Sequence, residues 1–174
     1  GVQRGDRVAI LLPQSREVAE AHIALYKLGA IAVPLAVLFG IDALAYRLAD
    51  SGATALITNA SGLAKLAEIP AASHSLALII STDGPDRSAL GYEAALETQS
   101  ADFIPVTTRA DDPALMIYTS GTTGQPKGVV HTCAGYMVWA AYTFVNAFQY
   151  QPGQVHFCTA DIGWVTGHSY VVYG

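Results

Sequence analysis

Between residues 119 and 128 the chain reads TSGTTGQPKG: three glycines, four hydroxyls, one proline and one lysine, with no apolar side chain long enough to pack a core. Glycines at 121, 124 and 128 allow positive φ and a close approach of backbone to a ligand. Successive N–H groups in such turns form a concave nest suited to anions. Thr119, Ser120, Thr122 and Thr123 add rotatable hydroxyl donors, and Lys127 adds a compact positive charge on a flexible stem. Clusters of this composition are ordinarily solvated loops. Position sets this one apart, because ALMIY at 114–118 precedes it and VV at 129–130 follows it. That is the strand–loop–strand or strand–loop–helix setting in which a phosphate loop works, and phosphate is the expected guest. Neither standard phosphate fingerprint fits: Pro126 precedes Lys127 and Gly128 follows it, and the glycine spacing is not that of a dinucleotide loop.

The elements that must carry this loop follow from alternating periods. Residues 7–12 form a short apolar run closed by Pro13, and Ser15 caps a helix in which Val18, His22, Leu25 and Leu28 share a face. Gly29 ends that helix, and IAVPL is a second strand. Residues 41–50 are helical, closed by Gly52; 53–58 is a third strand, 60–67 a weaker helix, 76–80 a fourth strand, and 88–98 a candidate helix. The strand at 113–118 leads into the glycine-rich loop. Thr132 caps a helix over 134–150, along which Met137, Ala141 and Val145 recur at four-residue steps, and VHFCT at 155–159 is a further strand. The alternation predicts an α/β fold, a largely parallel, doubly wound sheet with helices on both faces and ligands beyond the carboxyl ends of its strands.

Length and composition bound the rest. The 174 residues suit a single domain over 1–174, read as incomplete at both ends. A 52 % apolar and 13 % charged composition suggests surface covered by further polypeptide. Net charge is −5 with scattered lysines and arginines, which argues against a nucleic-acid partner. The most apolar stretch, 28–41, is too short and too broken by Gly29, Pro34 and Gly40 to span a membrane. Cys133 and Cys158 stand apart and read as two small buried hydrophobes. No metal cage is indicated by the five histidines; His22 and His74 read as core or surface residues, while His131 and His168 flank the informative stretches. Asp111 and Asp112 read as a solvated turn, and Asp161 as a cap of the turn at 162–164.

All ten positions at 119–128 agree with the phosphate-binding signature of the AMP-forming adenylating enzymes, and the chain resembles that superfamily of acyl-CoA synthetases, luciferases and peptide-synthetase adenylation domains. CTADIGWVTGHSYVVYG at 158–174 looks like the acetyl-CoA synthetase branch, whereas LFGIDALAYRLADSGA at 38–53 looks as much like the medium-chain branch. The resemblance implies that Thr119, Ser120, Gly121, Thr122, Thr123, Gly124, Gln125, Pro126, Lys127 and Gly128 hold the phosphates of ATP with Mg²⁺, with Lys127 in the catalytic role. It places Trp164, Val165, Thr166, Gly167 and His168 at the pocket for a small carboxylic acid. It implies a cytoplasmic ligase that forms an acyl-adenylate and passes the acyl group to coenzyme A. The alternatives are a branch loading a carrier thiol and a nucleotide-binding module without chemistry. The adenine, ribose and metal contacts are expected beyond residue 174, so the 174-residue chain alone is expected to be inactive.

Overall fold

Residues 8–11 are all buried, Val8 and Ile10 toward one apolar layer and Ala9 and Leu11 toward the other, as period-2 geometry requires of a strand covered on both faces. In the computed structural model, which describes residues 1–120 and 124–173, this run is β1 (Arg7–Leu11) at the middle of a seven-stranded sheet. It is followed by α1 (Arg16–Leu28), β2 (Ile31–Pro34), α2 (Ile41–Ser51), β3 (Ala55–Thr58), α3 (Ala60–Ala67) and β4 (Leu78–Ser81). Then come β5 (Leu90–Gly91), α4 (Tyr92–Glu97), β6 (Pro113–Thr119), β7 (Lys127–Thr132), α5 (Cys133–Asn146) and α6 (Val165–Val171). The sheet order is β5-β4-β3-β1-β2-β6-β7, parallel throughout except for the antiparallel β6–β7 pair.

Local chemistry sets the helix ends. α1 and α2 stop at Gly29 and Gly52, with φ of 67° and 59°, the left-handed conformation that costs glycine least. Asn59 caps α3 by accepting from Gly62 N–H, and Thr132 caps α5 by accepting from Gly135 N–H. α1 and α5 cover one face of the sheet and α2 and α3 the other. Each fully buried Leu, Ile or Val contributes roughly 1.5–3 kcal/mol. An exposed pair such as Arg16–Glu93 at 2.9 Å contributes at most about 1 kcal/mol, so the two apolar layers hold the frame.

Four expectations need correction. Residues 155–159 form no strand, with Val155 and Phe157 95 % and 85 % exposed; the alternation is there, but no neighbouring strand pairs with it among the described residues. Residues 88–98 contain β5 and only the six-residue α4, because the chain first pairs with β4. α5 ends at Asn146, and its buried face is Tyr136, Ala140 and Phe144, which leaves Met137 and Val145 in solvent. Cys133 and Cys158 are half-buried rather than buried. The exposed side of β7, α5 and the residues just after it is strongly apolar, with Val129, Val130, Val138, Trp139, Tyr142 and Phe148 all more than 40 % accessible. Among the described residues no helix is long and apolar enough to cross a membrane.

Candidate functional site

The glycine-rich segment is the turn of the β6–β7 hairpin at the carboxyl ends of the parallel strands, beside β2, so the strand–loop–strand alternative is the one adopted. Thr119 is in register with Lys127 and Tyr118 with Gly128, which closes the loop at its base. Gly121, Thr122 and Thr123 lie outside the described residues. Thr119, Ser120, Gly124, Gln125 and Lys127 are exposed, and Pro126 is half-buried. Gly124 has a φ of 151°, a conformation side-chain-bearing residues rarely adopt, and among the described residues nothing stands within 4 Å of where a Cβ would be. Gly128 departs from expectation. It is not among the residues of positive φ, and its missing Cβ makes room for Met116 and Tyr118, whose nearest atoms would stand 3.2 Å away.

Helix α2 anchors the hairpin. Tyr46 donates its hydroxyl to the Pro126 carbonyl at 2.9 Å, and Tyr118 donates to Asp50 Oδ2 at 2.7 Å. Burial, reinforced by the Asp50 carboxylate, raises the Tyr118 phenol above its ordinary pKa, so this hydroxyl stays a donor. The loop after β2 is pinned as well, because Lys65 Nζ donates to the carbonyls of Val37 at 2.5 Å and Phe39 at 2.9 Å. None of these anchors carries a local sequence signal; a Tyr or Lys on an amphipathic helix reads as surface until the tertiary fold brings its partner to it.

The second stretch folds as a tight turn leading into α6. Asp161 Oδ1 accepts from Gly163 N–H at 2.7 Å and the Asp161 carbonyl accepts from Trp164 N–H at 2.9 Å, the turn-capping role read from sequence. The turn is seated without spare room. A Cβ on Gly163 would stand 2.7 Å from Ala36 Cα, and one on Gly167 would stand 2.1 Å from the Asp161 carbonyl oxygen. Gly163→Ala and Gly167→Ala should therefore each lower stability by about 1–3 kcal/mol or more. Urea midpoints measure this, and unshifted midpoints would show that the turn is not so seated.

Trp164, Val165 and Thr166 face solvent, whereas Gly167 and His168 are buried beneath them. Val165 lines a cavity of about 470 Å³ together with Val130, His131, Thr132, Gly135, Tyr136 and Trp139. Desolvation pulls the pKa of His131 below its ordinary value. His168 Nδ1 bonds the Ile162 carbonyl at 3.1 Å, and its ring stacks on His22 with centroids 5.6 Å apart. His22 in turn shares a 2.5 Å hydrogen bond with the Tyr173 hydroxyl. The Nε2 atoms of both rings are buried without a partner among the described residues. Burial lowers the pKa of His22 to about 3 and of His168 to about 4. Asp112 serves structure, accepting from Arg109 N–H at 2.8 Å and pairing with Arg4. Among the described residues no group of three or more His, Cys, Asp or Glu is placed to hold a metal ion.

A family profile described as AMP-binding enzyme matches residues 1–174, the whole chain. The chain belongs to the AMP-binding enzyme family. The chain is similar to an acetyl-coenzyme A synthetase of Novosphingobium aromaticivorans, 40 % identical over 190 aligned positions that cover all of this chain and 29 % of that protein. It is similar to that of Rhizobium rhizogenes at 41 % identity, again over all of the chain and 30 % of the relative. Among solved structures, the acyl-CoA synthetase of Brucella canis superposes with a TM-score of 0.89 at 29 % identity, covering all of this chain and 32 % of that one. The chain thus spans less than a third of these relatives, and its mostly parallel α/β sheet is the acyl-CoA synthetase fold.

Proposed function

We propose that the chain is the phosphate-binding portion of an AMP-forming acyl-CoA synthetase acting on a short-chain acid such as acetate or propionate. The observation that carries this reading is the anchored base of the β6–β7 hairpin, with Thr119, Ser120, Gly124, Gln125 and Lys127 exposed at the carboxyl ends of the sheet, in a chain about 40 % identical to acetyl-coenzyme A synthetases. A carboxylate oxygen attacks the α-phosphorus of ATP, and the bond from that phosphorus to pyrophosphate breaks. The thiol sulfur of coenzyme A then attacks the acyl carbon, losing its proton, and AMP leaves. The loop's amides and hydroxyls, with Lys127, hold the β- and γ-phosphates and follow the charge onto pyrophosphate. Mg²⁺ would add positive charge to the same phosphates, and among the described residues no group of three or more His, Cys, Asp or Glu is placed to hold it. A cytoplasmic enzyme without nucleic-acid or membrane partners is part of the same reading.

A longer or aromatic acid is the second reading, favoured by the 470 Å³ cavity beside Val165, which is far larger than acetate needs. One experiment separates the two: kcat/KM of the full-length enzyme for acetate, propionate, butyrate, octanoate and benzoate, with Val165→Ala alongside. A short-chain pocket should give a graded preference, about 1–3 kcal/mol per methylene, that moves toward longer acids in Val165→Ala. Preference for octanoate or benzoate in the parent, or a profile unmoved by Val165→Ala, would overturn the short-chain assignment. The 174-residue chain by itself should show only background pyrophosphate exchange.

A further inference from the structure

Arg47, on the inner face of α2, is 7 % exposed, yet among the described residues it has no carboxylate partner. Its Nη1 donates to Ala43 O within its own helix at 2.8 Å, and its Nε is buried without a partner. Burial pulls its pKa below the ordinary arginine value. A guanidinium in such a place is costly for stability and would be replaced without loss by a leucine if packing were its whole purpose. What it does touch is aromatic on two sides. Its central carbon lies 4.1 Å from the Phe39 ring centroid and 5.5 Å from that of Tyr118. Phe39 meets Trp164 edge-on at 6.1 Å, and Tyr118 is the residue before Thr119, where the glycine-rich turn begins.

We infer that Arg47 is a positioning residue that supports both walls of the reaction site at once, holding Trp164 through Phe39 and the base of the phosphate loop through Tyr118. A planar cation is suited to this because it stacks on both rings while staying delocalised and weakly hydrated. Two aromatic rings separated by an aliphatic side chain would lack that attraction and could slide. The register between acid and α-phosphate then depends on one side chain that touches neither substrate. The claim rests on the acyl-CoA synthetase reading for its kinetic consequence and on geometry alone for its structural one.

The test uses the full-length enzyme and three versions of residue 47: the parent, Arg47→Met, which keeps length without charge, and Arg47→Lys, which keeps charge without the plane. With ATP and acetate as probes, Arg47→Met should raise KM for both by about 2- to 30-fold, the loss of a desolvated cation–π contact. Arg47→Lys should fall between parent and Met. A second readout needs no activity: the tryptophan fluorescence assigned to Trp164 by its loss in Trp164→Phe should be quenched more strongly by acrylamide in Arg47→Met than in the parent. A lowered melting temperature with both KM values unmoved, or unchanged Trp164 quenching, would overturn the inference. If the parent adenylates no acid, the functional reading fails and the quenching result alone decides the role of Arg47. If Arg47→Met does not fold, Arg47→Lys carries both readouts.

Discussion

Lys127→Ala in the full-length enzyme should reduce acyl-adenylate formation by about 10²–10³-fold, the usual effect of deleting one positioned donor that faces developing charge. Lys127 is the only cation of the 119–128 segment, is exposed, and opens β7 directly opposite Thr119. Its ammonium therefore projects from the anchored rim of the hairpin turn, and its removal leaves Tyr46, Tyr118 and Asp50 to hold that rim unchanged. Thioester formation from supplied acyl-AMP involves no pyrophosphate and should fall much less. Pyrophosphate exchange and single-turnover thioester assays measure the two halves, and an equal loss in both would deny Lys127 its phosphate role. Gly124→Val should impair the same first half-reaction through backbone strain, since among the described residues nothing obstructs the added side chain.

Stability should fall steeply as pH drops below 6.5. Burial keeps His22 and His168 neutral in the folded protein, with pKa values of about 3 and about 4 against an unfolded value of 6.5. Below 6.5 the unfolded chain binds more protons than the folded one. The stabilising contribution is fully present above that pH and is lost as pH falls toward the folded values, by roughly 1.4 kcal/mol per pH unit for each ring. Over the two units below 6.5 the pair removes roughly 5 kcal/mol, comparable with the whole stability of many domains. Tyr136 from α5 stacks on His168 and Tyr173 meets His22 edge-on, and these two tyrosines are met in turn by His131 from β7 and Tyr26 from α1. Among the described residues neither ring has a carboxylate partner to rescue the charged form. Urea midpoints between pH 7.5 and 4.5 test this: His22→Gln should roughly halve the slope, and a flat profile in the parent would show that the rings are not buried neutral.

Much of the frame was legible because its signals are local. Gly29 and Gly52 end helices where their conformation demands, α3 spans the 60–67 octet read as a weaker helix, and ALMIY leads into the glycine-rich turn. What was not legible depends on neighbours. Residues 155–159 have the alternation of a strand, but alternation does not supply a partner. α5 is apolar almost all round, so its sequence could not say whether Met137 or Tyr136 faces the core. Gly128 looked like its companions at 121 and 124, yet its reason is the bulk of Met116 and Tyr118 on the neighbouring strand. Arg47 sits on a helix where a lone arginine ordinarily reads as solvated, and only the fold puts Phe39 and Tyr118 against it.

The free edge of β7 also bears on handling the protein. Among the described residues this strand pairs on one side only, and Val129 and Val130 lie exposed along it next to the apolar side of α5. An unpaired ladder flanked by β-branched side chains is a template for another chain, and an uncovered apolar surface favours the encounter. Expressed as 174 residues, the protein should gather into oligomers or aggregates by adding strands at this edge. A lysine in place of Val129 is the smallest change that would make the edge repel its own copies while leaving the phosphate turn in place.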